Sequence, residues 1–124
     1  MDGPRAVFED DFTACFTPFA SEFPFELWMV PKRDVAALNE LTADERLSLA
    51  SMIRKAIKRL DKMGTPPYNM LFIGDNEYGE LRFHIRLSPR LSTPPAGFEF
   101  ITDMTVNSVP PEEAAKFYRP AFRG

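Results

Sequence analysis

Hydrophobic and polar positions change their period along the chain. Residues 6 to 12 (Ala-Val-Phe-Glu-Asp-Asp-Phe) read as a short strand and turn, and residues 13 to 19 alternate weakly before Pro18 interrupts them. Phe25-Glu26-Leu27-Trp28-Met29-Val30 is β-prone and stops at Pro31, which predicts a strand. Leu49, Ile53, Ala56, Ile57, Leu60 and Met63 then recur at helical intervals, the apolar stripe of an amphipathic helix. Thr42 and Glu45 form a capping box at its start: each can satisfy a backbone amide of the other. Gly64 is placed to end it in a left-handed conformation. The helix should run for roughly 20 residues.

Beyond Pro66-Pro67 the period returns to two. Residues 68 to 73 (Tyr-Asn-Met-Leu-Phe-Ile) predict a strand and residues 74 to 79 a turn. From Leu81 to Leu87 the alternation is clean. Leu81, Phe83, Ile85 and Leu87 face a core, and Arg82, His84 and Arg86 share the opposite face. Residues 91 to 97 read as a loop and 98 to 106 as a further β-prone run. Pro110-Pro111-Glu112-Glu113 opens a short C-terminal helix, with proline in its first turn and acids at its positive end. Strands, one long helix, strands and a short helix give an α+β class: an antiparallel sheet with helices on one side, in a single domain over residues 1–124.

Composition narrows the function. The 124 residues are 44% hydrophobic and 27% charged, enough for a core without metal or disulfide staples. Fifteen basic against 18 acidic residues leave a net charge of −3, which argues against a nucleic-acid binder that works by neutralising phosphates. No uncharged apolar run approaches the roughly 20 residues of a membrane span, and residues 1 to 12 lack the basic-then-apolar pattern of a signal peptide. A single cysteine, Cys15, fits a reducing cytoplasm and reads as a small buried hydrophobe. The basic residues Arg54, Lys55, Lys58, Arg59 and Lys62 read as the solvated face of the long helix. Twelve Phe and 12 Pro are each well above ordinary usage, and the Phe-rich segment 16 to 28 is a candidate interface.

The candidate chemistry lies in Arg82-Phe83-His84-Ile85-Arg86. Strand geometry spaces the three polar side chains about 7 Å apart on one face. Arginine offers planar paired donors to phosphate or carboxylate, and a neutral imidazole can act as nucleophile, base or ligand. The bland alternative is a solvated polar face.

Several stretches in order resemble the C-terminal half of the galactose-1-phosphate uridylyltransferase family, within the histidine-triad superfamily. They are residues 16 to 28 (Phe-Thr-Pro-Phe-Ala-Ser-Glu-Phe-Pro-Phe-Glu-Leu-Trp), Phe83-His84-Ile85-Arg86-Leu87-Ser88-Pro89-Arg90-Leu91, Ala96-Gly97-Phe98-Glu99-Phe100 and Val106-Asn107-Ser108-Val109-Pro110-Pro111-Glu112-Glu113. The resemblance implies a histidine-triad-like half-barrel and, for a complete enzyme, nucleotidyl transfer between sugar phosphates through a uridylyl-histidine intermediate. The nucleophile of the family stands in a His-Pro-His motif, which this chain with its one histidine does not carry. His84 matches the second histidine of a C-terminal His-x-His. Arg82 stands in place of the first, so the zinc or iron site of the family reads as lost; His84 with Glu80 or Glu99 would be a poor metal site. Asn69, Arg82, Arg86, Phe98 and Glu99 are the expected contacts to a sugar phosphate or UDP-sugar. Three functions follow: a uridylyltransferase-like binding domain, working as a homodimer or with a chain supplying the N-terminal half; a stand-alone histidine-triad-like hydrolase or transferase with His84 as nucleophile; and a non-catalytic dimerisation domain.

Overall fold

The computed structural model describes residues 3–19, 23–74, 82–90 and 109–122. The expected strand over 98 to 106, the loop before it, most of the turn at 74 to 79, and the candidate residues Glu80, Phe98 and Glu99 lie outside the described residues.

Five strands form one antiparallel sheet: β1 (Ala6–Glu9), β2 (Thr13–Phe16), β3 (Leu27–Pro31), β4 (Tyr68–Ile73) and β5 (His84–Pro89). Among the described residues the spatial order is β1-β2-β3-β5-β4, so β5 is inserted beside β3 and β4 is the last strand on that side. Helix α1 (Ala43–Arg59) covers one face and α2 (Pro111–Tyr118) packs beside β1.

Helix α1 starts as its sequence dictates. Thr42 Oγ1 accepts from the Glu45 amide, and the Glu45 carboxylate accepts from the Thr42 amide at 2.7 Å. Regular α-structure lasts 17 residues and then tightens into a 3₁₀ turn, Leu60–Met63, which ends at Gly64 with φ 87°. That angle favours glycine because a side chain would be strained there. The apolar stripe, as Leu49, Met52, Ala56 and Leu60, packs on Cys15, Leu27, Met29, Ile85 and Leu87 from the inner face of β2, β3 and β5. Burial pushes the Cys15 thiol up, in keeping with an unreactive core residue. Part of the basic face of α1 is structural rather than solvated. Arg59 donates from Nε to the Phe117 carbonyl at 2.7 Å and lies over the Phe117 ring, tying α1 to α2.

The β1–β2 turn is built by Asp10, whose Oδ1 accepts from the amides of Phe12 and Thr13, both at 2.8 Å. Burial opposes the ionisation of Asp10, yet the Ser48 hydroxyl and these two amides outweigh it and hold the carboxyl below its usual range.

Glu45 does double duty. Besides capping α1, it takes two hydrogen bonds from Arg33, at 3.0 and 2.8 Å, and Arg33 and the Thr42 amide together lower its carboxyl from 4.5 to about 2. A carboxylate depressed in the folded state stabilises fully above its unfolded value and loses that contribution as pH falls towards the folded one. We therefore expect urea midpoints to decline between pH 4.5 and about 2, and Glu45→Gln to flatten that decline. An unchanged pH profile in the variant would refute it.

No helix among the described residues is long and apolar enough to cross a membrane.

Candidate functional site

The site grows from the alternation of β5. Ile85 and Leu87 point into the core and are fully buried, which forces His84 and Arg86 onto the outer face, away from α1. The register then supplies their neighbours. Trp28 of β3 stands opposite Arg86, Phe16 of β2 opposite Trp28, and Leu71 of β4 on the other side of Arg86. One rung therefore reads Phe16–Trp28–Arg86–Leu71 across four strands.

Within this rung the side chains close on one another. The His84 ring stacks on Trp28 with centroids 4.8 Å apart and an interplanar angle of 26°. The Arg86 guanidinium carbon lies 4.3 Å from the Trp28 ring centroid, a cation–π contact. Arg86 Nε is 3.1 Å from His84 Nε2, and His84 Nδ1 is 2.9 Å from the Arg82 carbonyl. An arginine can only donate and a carbonyl can only accept. The ring that satisfies both is neutral, with its proton on Nδ1 and its lone pair on Nε2. His84 is left 8% exposed, a buried polar residue where simple alternation would leave a solvated one.

Trp28 is itself anchored. Its Nε1 donates to the carboxylate of Glu26, which is buried. Trp28 and Glu26 are neighbours of His84 and Arg86 that the β5 motif alone misses. The parity of Leu27 and Met29 does put Trp28 on the outer face, but its place opposite Arg86 depends on a strand pairing that no local pattern encodes.

The other two described candidates are placed differently. Arg82 turns its Nη2 to the carbonyls of Pro31 and Lys32 at the end of β3, so its guanidinium is engaged in joining strands. Asn69 is exposed on β4 opposite Ser88, whereas His84 stands opposite Ile73, four residues along the same strand and roughly 13 Å away. His84 and Arg86 are thus brought together; Asn69 is diagonal to Arg86 on the same face but distant from His84, and the Arg82 guanidinium is engaged at the end of β3.

Among the described residues, none group around His84 as metal ligands. His84 is one nitrogen donor, and its Nε2 faces a guanidinium. Among the described residues, no group of three or more His, Cys, Asp or Glu could hold a metal. What the arrangement can do is present a cation backed by an aromatic plane, a geometry suited to an anionic ligand.

No family model matches the chain. Similarity to individual proteins is extensive. ADP-glucose phosphorylase of Arabidopsis thaliana is 28% identical over 145 residues, covering 96% of the chain and 41% of that protein. Galactose-1-phosphate uridylyltransferase of Thermotoga maritima is 28% identical over 127 residues, covering 93% of the chain and 40% of that protein. The chain thus spans about two fifths of the length of these curated relatives. A crystal structure of the Arabidopsis thaliana ADP-glucose phosphorylase with bound ADP-glucose superposes with a TM-score of 0.75 at 26% identity, over 92% of the chain and 39% of the other. A zinc-bound histidine triad family protein of Mycobacterium smegmatis shares the fold, with a TM-score of 0.65 at 14% identity over 97% of the chain and 85% of the other.

Proposed function

We propose that this homologue of galactose-1-phosphate uridylyltransferase and ADP-glucose phosphorylase is a sugar-nucleotide transferase-like domain that binds a sugar phosphate or a UDP-sugar on the outer face of its sheet. The observation that carries the reading is the Arg86 guanidinium held against His84 and Trp28. It is a phosphate-binding group whose aromatic backing is already in place. The chain does not itself supply the nucleophile of a complete transferase, because its single histidine does not lie in a His-Pro-His segment. Arg82 supports the site from outside by fixing the end of β3 to the start of β5.

Calorimetry with UDP-glucose, ADP-glucose and galactose 1-phosphate tests this. Arg86→Ala should weaken binding by about tenfold or more, since a charge-assisted bond to phosphate is lost. Arg82→Ala should leave affinity within about twofold and instead cost about 1–2 kcal/mol of stability through its two carbonyl bonds. A folded protein that binds none of the three ligands would refute the reading.

A second observation bears on assembly. Among the described residues β4 is an edge strand, with Leu71 and Phe72 each 53% exposed and Tyr68 40% exposed. An apolar edge of this kind is a template for another strand. We assign it to a second copy of the chain, with the two β4 strands pairing. Sedimentation should give a dimer that Leu71→Lys converts to monomer, and a monomeric parent protein at high concentration would sink the assignment.

A further inference from the structure

His84 Nε2 is the one imidazole atom free of backbone bonding, and it is covered. Arg86 Nε donates to it at 3.1 Å while the Arg82 carbonyl holds Nδ1 and Trp28 covers a ring face. Among the described residues, this guanidinium hydrogen-bonds to His84 and lies over the Trp28 ring. We propose that Arg86 is a movable cap: it occupies the His84 lone pair in the free protein and leaves it when a phosphomonoester arrives, so that ligand binding uncovers Nε2. Arg86 is here a positioning residue for His84 as well as a ligand contact.

The physical basis is a competition between two acceptors. A neutral imidazole offers a guanidinium one lone pair. A phosphate offers formal charge and two oxygens that match the planar fork, and bonds to ionised acceptors are roughly twice as strong as neutral ones. A phosphate that docks on the Nε–Nη edge needs the same Nε–H that His84 holds, and there it wins the donor. The ring cannot follow, because Nδ1 stays bound to the Arg82 carbonyl and the stack on Trp28 remains. What changes is that Nε2 loses its donor and becomes an acceptor facing the ligand. This rests on the phosphate-binding reading above and adds an order of events to it.

With one histidine and one tryptophan in the chain, the test is free of background. Carbethoxylation by diethyl pyrocarbonate at about pH 8, above the ordinary imidazole range, should be slow in the parent protein and about tenfold faster in Arg86→Ala. Because that variant could disturb the rung, the unaltered protein is measured as well. Its imidazole ¹⁵N spectrum should show the proton on Nδ1, and saturating UMP should shift the Nε2 resonance while leaving Nδ1 in place. Equal carbethoxylation rates, or an Nε2 signal unmoved by UMP that calorimetry shows to be bound, overturn the cap and leave the binding function standing. Failure of UMP, UDP-glucose and galactose 1-phosphate to bind overturns the binding function, and the displacement falls with it.

Discussion

Tyr118→Ala should cost about 4 kcal/mol, within the range for removing a large buried aromatic. Tyr118 has no solvent exposure, and its ring packs edge-on against Phe117 at 5.2 Å. Phe117 in turn meets Phe25 edge-on, also at 5.2 Å. The hydroxyl donates to the Phe25 carbonyl at 2.8 Å, and Phe25 is held at φ 61°, a conformation rare for a residue with a bulky side chain. One side chain therefore fills the space between α2 and the sheet and also fixes the strained approach to β3. The two roles separate experimentally. Tyr118→Phe keeps the ring and should lose only about 1 kcal/mol, the net worth of the hydrogen bond. For a domain whose whole stability is about 5–15 kcal/mol, the alanine variant should show a urea midpoint far below that of the phenylalanine variant. Equal midpoints would mean that the ring contributes little.

The second large effect is expected at Trp28. Its ring lies between Phe16 at 6.0 Å and the Arg86 guanidinium, with His84 stacked on it. Trp28→Ala removes partly buried apolar area, an aromatic pair of about 0.5–1.5 kcal/mol and a cation–π contact of similar size. It also leaves the buried Glu26 carboxylate without its indole donor. Together these should destabilise the fold by about 3 kcal/mol and, in the same variant, abolish detectable UDP-sugar binding, because Arg86 then has no plane to rest on. Trp28→Phe keeps a plane but not the N–H, so it should retain binding while losing about 1–2 kcal/mol of stability. Retention of full affinity in Trp28→Ala would show that Arg86 needs no aromatic support.

The elements that were legible in the sequence are those whose cause is local. The capping box at Thr42 and Glu45, the left-handed stop at Gly64 and the proline start of α2 depend on neighbours a few residues away, and each lies where its residues place it. β4 spans the residues expected of it, Tyr68–Ile73, and β5 runs from His84 to Pro89, displaced towards its C-terminal end. Parity placed Phe83, Ile85 and Leu87 in the core and His84 and Arg86 on the other face, while Leu81 lies outside the described residues. It could not say that His84 would be nearly buried, because the covering groups come from β3 and from the Arg86 side chain folding back. Nor could it separate Arg82 from Arg86, since the carbonyls that engage Arg82 belong to residues some 50 positions earlier. The basic stripe of α1 misled in part for the same reason: Arg59 has a distant partner, Phe117, 58 residues on.

Thr17 lies beside β2, yet its hydroxyl donates to the carbonyl of Pro111, 94 residues later. Arg119 likewise reaches back to the carbonyls of Pro4 and Ala6, and Tyr118 and Phe122 complete the apolar cluster that includes Val7 and Cys15. At ribosomal rates of about 5–20 residues per second, the first strands wait about 5–20 seconds for the helix that covers them. During that interval a growing chain presents an apolar surface that α2 has not yet sealed. Slowing elongation just before the last helix would lengthen that exposure and lower the yield of native protein.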